Sequence, residues 1–343
     1  LSRPIPRFAR GFFYPEASMG NVNLGPNGVR QIFREMAEIN ANCLTCPVKR
    51  YEKGSKWWSD EPKSDELFKM AEIYGLGILV TYHFAVEDRG WHEGAEEALK
   101  FYPKYGSYIG FCIDEPRYSP YGGAWGEVCR PPVTEFREYL KDKYPPEELK
   151  KRGVDDIAAV ALPKADERAQ KPWLWAELGR LSKKTLHDWM KRDLDYAAGF
   201  DPNLISTLDL QHAIGVPVWR GALGAITYKI VVCEPYDRAS FKQVWQVEML
   251  RSTSGKPTWK FIAPGLAYAR NNPDVYRRSM YQAMMHGDGV LVFAWNTVYK
   301  QITGWSGSRK LWIYGHWEVT AEMFGKMALT GQDRYMRSPG SGQ

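Results

Sequence analysis

Eight short apolar runs, separated by stretches with helical spacing, recur along the 343 residues. From the N-terminus they are Phe8–Tyr14, Asn42–Val48, Gly77–Phe84, Tyr108–Ile113, Leu204–Leu210, Tyr228–Cys233, Thr258–Ile262 and Val290–Trp295. The third run, GILVTYHF, is continuously apolar over most of its length, as expected of a strand covered on both faces. After the first run, Val29, Ile32, Phe33 and Met36 fall at helical spacing. Such alternation predicts a parallel sheet with crossover helices, and eight strands are what a closed (β/α)8 barrel needs. An open doubly wound sheet is the alternative, but neither GxGxxG nor a P-loop follows an early strand.

Residues 1–337 are expected to form one barrel, with 338–343 a tail or linker. The long interval of about 117–203 carries helix-like spacing over Phe136–Tyr144 and Trp173–Tyr196. It is expected to elaborate the fourth strand's loop and to wall a cleft.

The net charge is +6, with the basic residues scattered rather than concentrated in a patch, so no nucleic-acid partner is expected. No stretch reaches the ~20 apolar residues of a membrane span. Cys43 and Cys46 form a CxxC without a second pair, and Cys112 and Cys233 lie inside apolar runs, so neither a metal nor another cofactor is expected. Secretion after removal of a leader is the expected localisation, with the cytoplasm as the alternative. Aromatic residues reach 14%, and Trp57, Trp58, Trp91, Trp125, Trp173, Trp175 and Trp305 stand in polar, loop-like contexts. Packing beneath loops accounts for any one of them. Together they suit a groove in which the C–H faces of sugar rings stack.

Barrel sites lie at the C-terminal ends of the strands. Tyr14 and Glu16 end the first, Tyr82 and His83 the third, and Asp114, Glu115 and Arg117 the fourth. Asp209, Gln211 and His212 end the fifth, Glu234 and Tyr236 the sixth, and Trp295 and Asn296 the eighth. Cleaving a glycosidic bond takes two carboxyl groups, one protonating the leaving oxygen and one acting as nucleophile or base. Glu115 is the expected acid, because an apolar barrel floor raises a carboxyl pKa toward neutrality. Each residue also has a structural reading: Asp114-Glu115 as a helix cap or partner of Arg117, His83 as a satisfied buried histidine, Glu234 as half of an ion pair.

Gly11-Phe12-Phe13-Tyr14-Pro15-Glu16 is similar to the first-strand motif of the family 42 β-galactosidases. Phe136–Tyr144, Gly255–Trp259 and Met284–Trp295 resemble, in order, that family's helix after the acid-bearing loop, its entry to strand seven and its strand eight. The chain thus resembles a diverged member of the clan A barrel glycosidases. The resemblance implies an oligo- or polysaccharide substrate and a homo-oligomer, trimers being common in that family. The sequence departs from the pattern twice. Asp114 precedes Glu115 where the clan has Asn-Glu, and strand seven, Trp259–Pro264, has no glutamate for the clan's nucleophile. Three readings follow. Glu234 supplies the second carboxylate, or Asp114 and Glu115 run substrate-assisted catalysis like the similar Asp-Glu pair of family 20 and 123 N-acetylhexosaminidases, or the barrel only binds carbohydrate.

Overall fold

The computed structural model describes residues 8–13, 25–46, 61–83, 102–114, 131–201, 203–211, 230–234, 240–262, 272–293 and 316–330. Eight strands form one closed parallel barrel in sequence order. They are β1 (Ala9–Phe13), β2 (Cys43–Cys46), β3 (Gly77–His83), β4 (Tyr108–Asp114), β5 (Ile205–Gln211), β6 (Ile230–Glu234), β7 (Thr258–Ile262) and β8 (Gly289–Phe293). Closure comes from β8, which pairs with β1 from Ala9↔Gly289 to Phe13↔Phe293. The expected (β/α)8 architecture is therefore the observed one. Followed once around from Phe13 through Thr45, Leu79, Gly110 and Ile205, the register returns to β1 eight residues lower. That stagger is the one that tilts the strands of a (β/α)8 barrel.

Alternate residues of the strands meet in the lumen, where Ala9, Cys43, Leu79, Ile109, Ile205, Trp259, Phe261 and Leu291 form one buried cluster. Trp259 packs so closely against Gly289 that a Cβ there would lie 2.7 Å from its Cδ1. The opposite faces of the strands meet helices, which is why the strands read as unbroken apolar runs.

Among the described residues the α-helices are α1 (Gly25–Glu38), α2 (Glu61–Ile73), α3 (Val133–Lys143), α4 (Pro146–Lys151), α5 (Pro172–Phe200), α6 (Ser240–Ser254), α7 (Pro273–His286) and α8 (His316–Leu329). The apolar spacing noted in α1 is the buried face, with Ile32, Phe33 and Met36 almost without exposure. Helix α7 starts where its sequence dictates. Pro273 fixes the first φ, and the Asn272 side chain accepts from the N–H groups of Asp274 and Val275 at 3.1 Å each. No described helix is long and apolar enough to cross a membrane.

The chain divides into two compact units. One comprises Leu1–His83, His92–Glu115 and Ala197–Gln343, and contains the barrel. The other comprises Phe84–Trp91 and Pro116–Tyr196. The second unit has its own apolar centre, built from Phe136, Leu140, Leu149, Val160, Leu178 and Leu181.

Beside that centre the Glu177 carboxylate has no solvent exposure. It accepts from Tyr139 Oη at 2.7 Å, Lys143 Nζ at 2.7 Å, Tyr144 Oη at 2.8 Å and the Arg180 guanidinium. Burial alone pushes the Glu177 pKa up, but the donors from Lys143, Tyr139 and Tyr144 outweigh it and leave it below the ordinary glutamate value. A depressed folded-state pKa gives stability that is present above the unfolded value of about 4.3 and lost as pH falls through the folded one. Glu177→Ala is therefore expected to cost about 2–3 kcal/mol at neutral pH, since it strands hydroxyl and ammonium donors. Urea unfolding followed by circular dichroism checks this, and the wild-type and variant midpoints should converge as pH drops below about 4. A gap that stays constant across pH would contradict it.

Candidate active site

Several of the candidate residues lie at strand ends, and the barrel register decides which of them lie side by side. Tyr82 and His83 close β3, Asp114 is the last residue of β4, Asp209 and Gln211 end β5, and Glu234 is the last residue of β6. His83 pairs in register with Asp114, Asp209 with Val232, and Gln211 with Glu234. One residue beyond the Ile113↔Leu208 pair, the same ladder would set Asp114 next to Asp209. Neighbouring strands are about 4.8 Å apart, so these positions form one compact arc across β3 to β6. Tyr14, Glu16, Glu115, Arg117, His212, Tyr236, Trp295 and Asn296 lie outside the described residues.

A β-bulge sets the alternation of this arc. Ile78 pairs with Tyr108 but Leu79 pairs with Gly110, leaving Ile109 as the extra residue of β4. A one-residue slip exchanges the two alternating sets of a strand from that point on. Beyond the bulge, Gly110, Cys112 and Asp114 take the positions that match Leu79, Thr81 and His83. Without it, Ile109 would pair with Leu79, and Ile113 rather than Asp114 would be matched with His83. The lumen set defined by Ile205, Trp259 and Phe261 continues along the ladders through Thr207, Asp209 and Gln211 on β5 and through Val232 and Glu234 on β6. By strand alternation, Asp114, Asp209, Gln211 and Glu234 thus belong to one set of positions.

Strand β7 is different. All five of its residues are buried. Trp259 and Phe261 belong to the lumen cluster. Lys260, on the other alternation, donates its Nζ to the Ser279 carbonyl of α7 at 3.2 Å. From Thr258 to Ile262 the strand offers packing and one buried ammonium, and no carboxylate.

Two of the thiols noted in the sequence have described side chains, and neither is exposed. Cys43 and Cys112 are buried and form no disulfide, and burial pushes the Cys43 thiol up to about 12 against the smaller opposing influence of Arg10. The sequence did not reveal the Glu177 cluster. Its only signal is the Tyr139, Lys143 and Tyr144 spacing along and just past α3, and the partner lies 34 residues beyond Lys143.

No protein-family model matches the sequence, and no curated protein matches it. Solved structures do. The cold-adapted β-galactosidase of Rahnella sp. R3 is similar over 95% of this chain and 57% of its own, with a TM-score of 0.70 and 14% identity. The β-galactosidase of Bacillus circulans sp. alkalophilus is similar over 94% and 56%, with a TM-score of 0.69 and 15% identity. The catalytic domain of β-amylase from Paenibacillus polymyxa is similar over 94% and 99%, with a TM-score of 0.63 and 10% identity. The fold is that of the barrel glycoside hydrolases, as the sequence resemblance implied. The chain spans less than three-fifths of the length of the two β-galactosidases.

Proposed function

We propose that this chain is a glycoside hydrolase acting on an oligo- or polysaccharide, built as one barrel in which 117–203 elaborates the fourth loop. Glu115 is the general acid and later the base, and Glu234 or Asp114 is the second group. The observation that carries the reading is the arc of strand-end positions, with Asp114 and Glu234 in one alternating set and His83, Asp209 and Gln211 beside them. Fold alone does not assign chemistry. What supports hydrolysis is that acidic, His and Gln residues fall at the C-terminal ends of the strands, the end of a barrel where such sites form. In this reading His83, Asp209, Gln211 and His212 bind sugar hydroxyls with Tyr14, Glu16, Tyr82, Arg117 and Tyr236, while Trp295 and Asn296 form a platform.

A second reading rests on β7. With Trp259 and Phe261 buried where the clan places its nucleophile, the chain fits a barrel that binds glycans without cleaving them. One experiment separates the two. The protein is incubated with a panel of plain and N-acetylated glycans, and reducing ends and product anomers are followed by NMR. Release of a single initial anomer from at least one glycan is expected. Binding without any release across the panel would leave the non-catalytic reading. Turnover restricted to N-acetylated glycans would assign the second group to Asp114, and turnover of plain glycans to Glu234.

A further inference from the structure

The β3–β4 ladder ends with a basic residue opposite an acidic one, His83↔Asp114. Adjacent positions on neighbouring strands stand about 4.8 Å apart. This juxtaposition depends on the bulge. Counted straight on from Ile78↔Tyr108, His83 would meet Ile113, and the extra residue Ile109 brings Asp114 there instead. The arrangement requires an interrupted ladder and, directly after the extra residue, a glycine at φ +153. Around the pair, Tyr82 precedes His83 in the chain, and β2 ends at Cys46, which pairs with Val80 below the level of His83. Cys112 is buried below Asp114 in the same alternating set, while Asp209 follows on β5 and Glu234 on β6. Among the described strand residues of that set there is no Lys or Arg, since Lys260 lies in the other alternation of β7.

We infer that the juxtaposition of His83 with Asp114 makes a carboxylate–imidazolium pair, in which Asp114 is the positioning residue and His83 is charged at neutral pH. An ordinary histidine changes charge near 6.5, so a modest bias carries it across neutrality. A carboxylate within about 4–6 Å supplies such a bias, and Asp209, one strand further on, adds to it. The consequence for catalysis rests on the hydrolase reading, whereas the pair itself does not. A charged imidazole donates from both nitrogens and accepts from neither, so His83 serves as a donor to a sugar oxygen. The pair is neutral as a whole and does not oppose the positive charge that develops on the sugar ring during cleavage. With Asp114 committed to His83, Glu234 is the second carboxyl group.

The test is a pH titration of the ring C–H signals of the six histidines by NMR on the whole protein, with His83→Gln identifying the signal of His83. In the wild type its midpoint should lie above about pH 7, at least roughly half a pH unit over the ordinary value. Asp114→Asn should bring it below about pH 7, and Asp209→Asn should lower it by less. Asp114→Glu, which keeps the charge, should leave it above about pH 7. Circular dichroism checks the fold of each variant, and Asp114→Ser removes the same charge if the asparagine form does not fold. A wild-type midpoint below about pH 7 overturns the inference. So does a midpoint that stays above it once the Asp114 charge is gone, or one that Asp209→Asn lowers more than Asp114→Asn does. None of these readings needs turnover. A protein that hydrolyses nothing therefore loses the hydrolase reading, and the titration still decides the pair. Where a glycan is cleaved, turnover confined to N-acetylated glycans would place Asp114 on the substrate and also overturns the inference.

Discussion

Glu115→Gln is expected to lower kcat by about 10²–10⁴-fold on any glycan the wild type cleaves, the range a positioned general acid contributes. The amide keeps the shape of the carboxyl but has no acidic proton to give to the leaving oxygen. The loss should shrink on an aryl glycoside whose phenolate departs without protonation, because that step no longer needs the acid. It should also remove the alkaline limb of the pH–rate profile, which reports the group that must be protonated. Wild-type circular dichroism and unchanged glycan binding would tie the loss to chemistry. A loss of less than tenfold would move the acid elsewhere, and Asp114 is the nearest alternative. Glu234→Ala completes the assignment. Rescue by azide, with a glycosyl azide of inverted configuration, marks Glu234 as nucleophile, and loss without rescue marks it as base or as structure.

The strands were legible because burial on both faces leaves an unbroken apolar record, and β7 was read at its observed limits, Thr258–Ile262. Their C-terminal ends were read one residue short where they matter most. The sequence places the ends of the fourth, fifth and sixth strands at Ile113, Leu210 and Cys233, whereas the ladders run on to Asp114, Gln211 and Glu234. A polar residue after an apolar run looks like a boundary, yet in a barrel the backbone pairing continues to the rim, where alternate positions face a site rather than a core. The bulge at Ile109 was not legible either, since nothing local in Tyr108-Ile109-Gly110 distinguishes an extra residue from a paired one. Register is a relation between strands, and it alone decides whether Asp114 or Ile113 is matched with His83. The same limit hid Glu177, whose donors along and just past α3 lie 33 to 38 residues away.

The bulge also locates the substitution with the largest expected effect on folding, Gly110→Ala. Gly110 follows the extra residue with φ +153, a conformation that side-chain-bearing residues rarely adopt. A Cβ there would stand 1.9 Å from the Ile205 carbonyl oxygen and 2.7 Å from the Ile205 nitrogen and carbonyl carbon. All three are backbone atoms of the neighbouring strand, which cannot swing aside like a side-chain end. Relief would require parting β4 from β5 or expelling the bulge, and expelling it would shift Asp114 out of register with His83. Backbone strain of about 1–3 kcal/mol and overpacking of about 1–3 kcal/mol act together at this position. The expected loss is therefore roughly 3–5 kcal/mol, a large part of the 5–15 kcal/mol that holds a typical domain. Gly153→Ala supplies the comparison, because Gly153 also has positive φ, +81, but nothing lies within 4 Å of its would-be Cβ. That variant carries the conformational cost alone, about 1 kcal/mol. Urea midpoints of the two variants against wild type check the expectation, with native-state hydrogen exchange to separate the barrel's response from that of the second unit. If Gly110→Ala were no more destabilising than Gly153→Ala, the close approach of β4 to Ile205 would be wrong, and with it the register that joins Asp114 to His83.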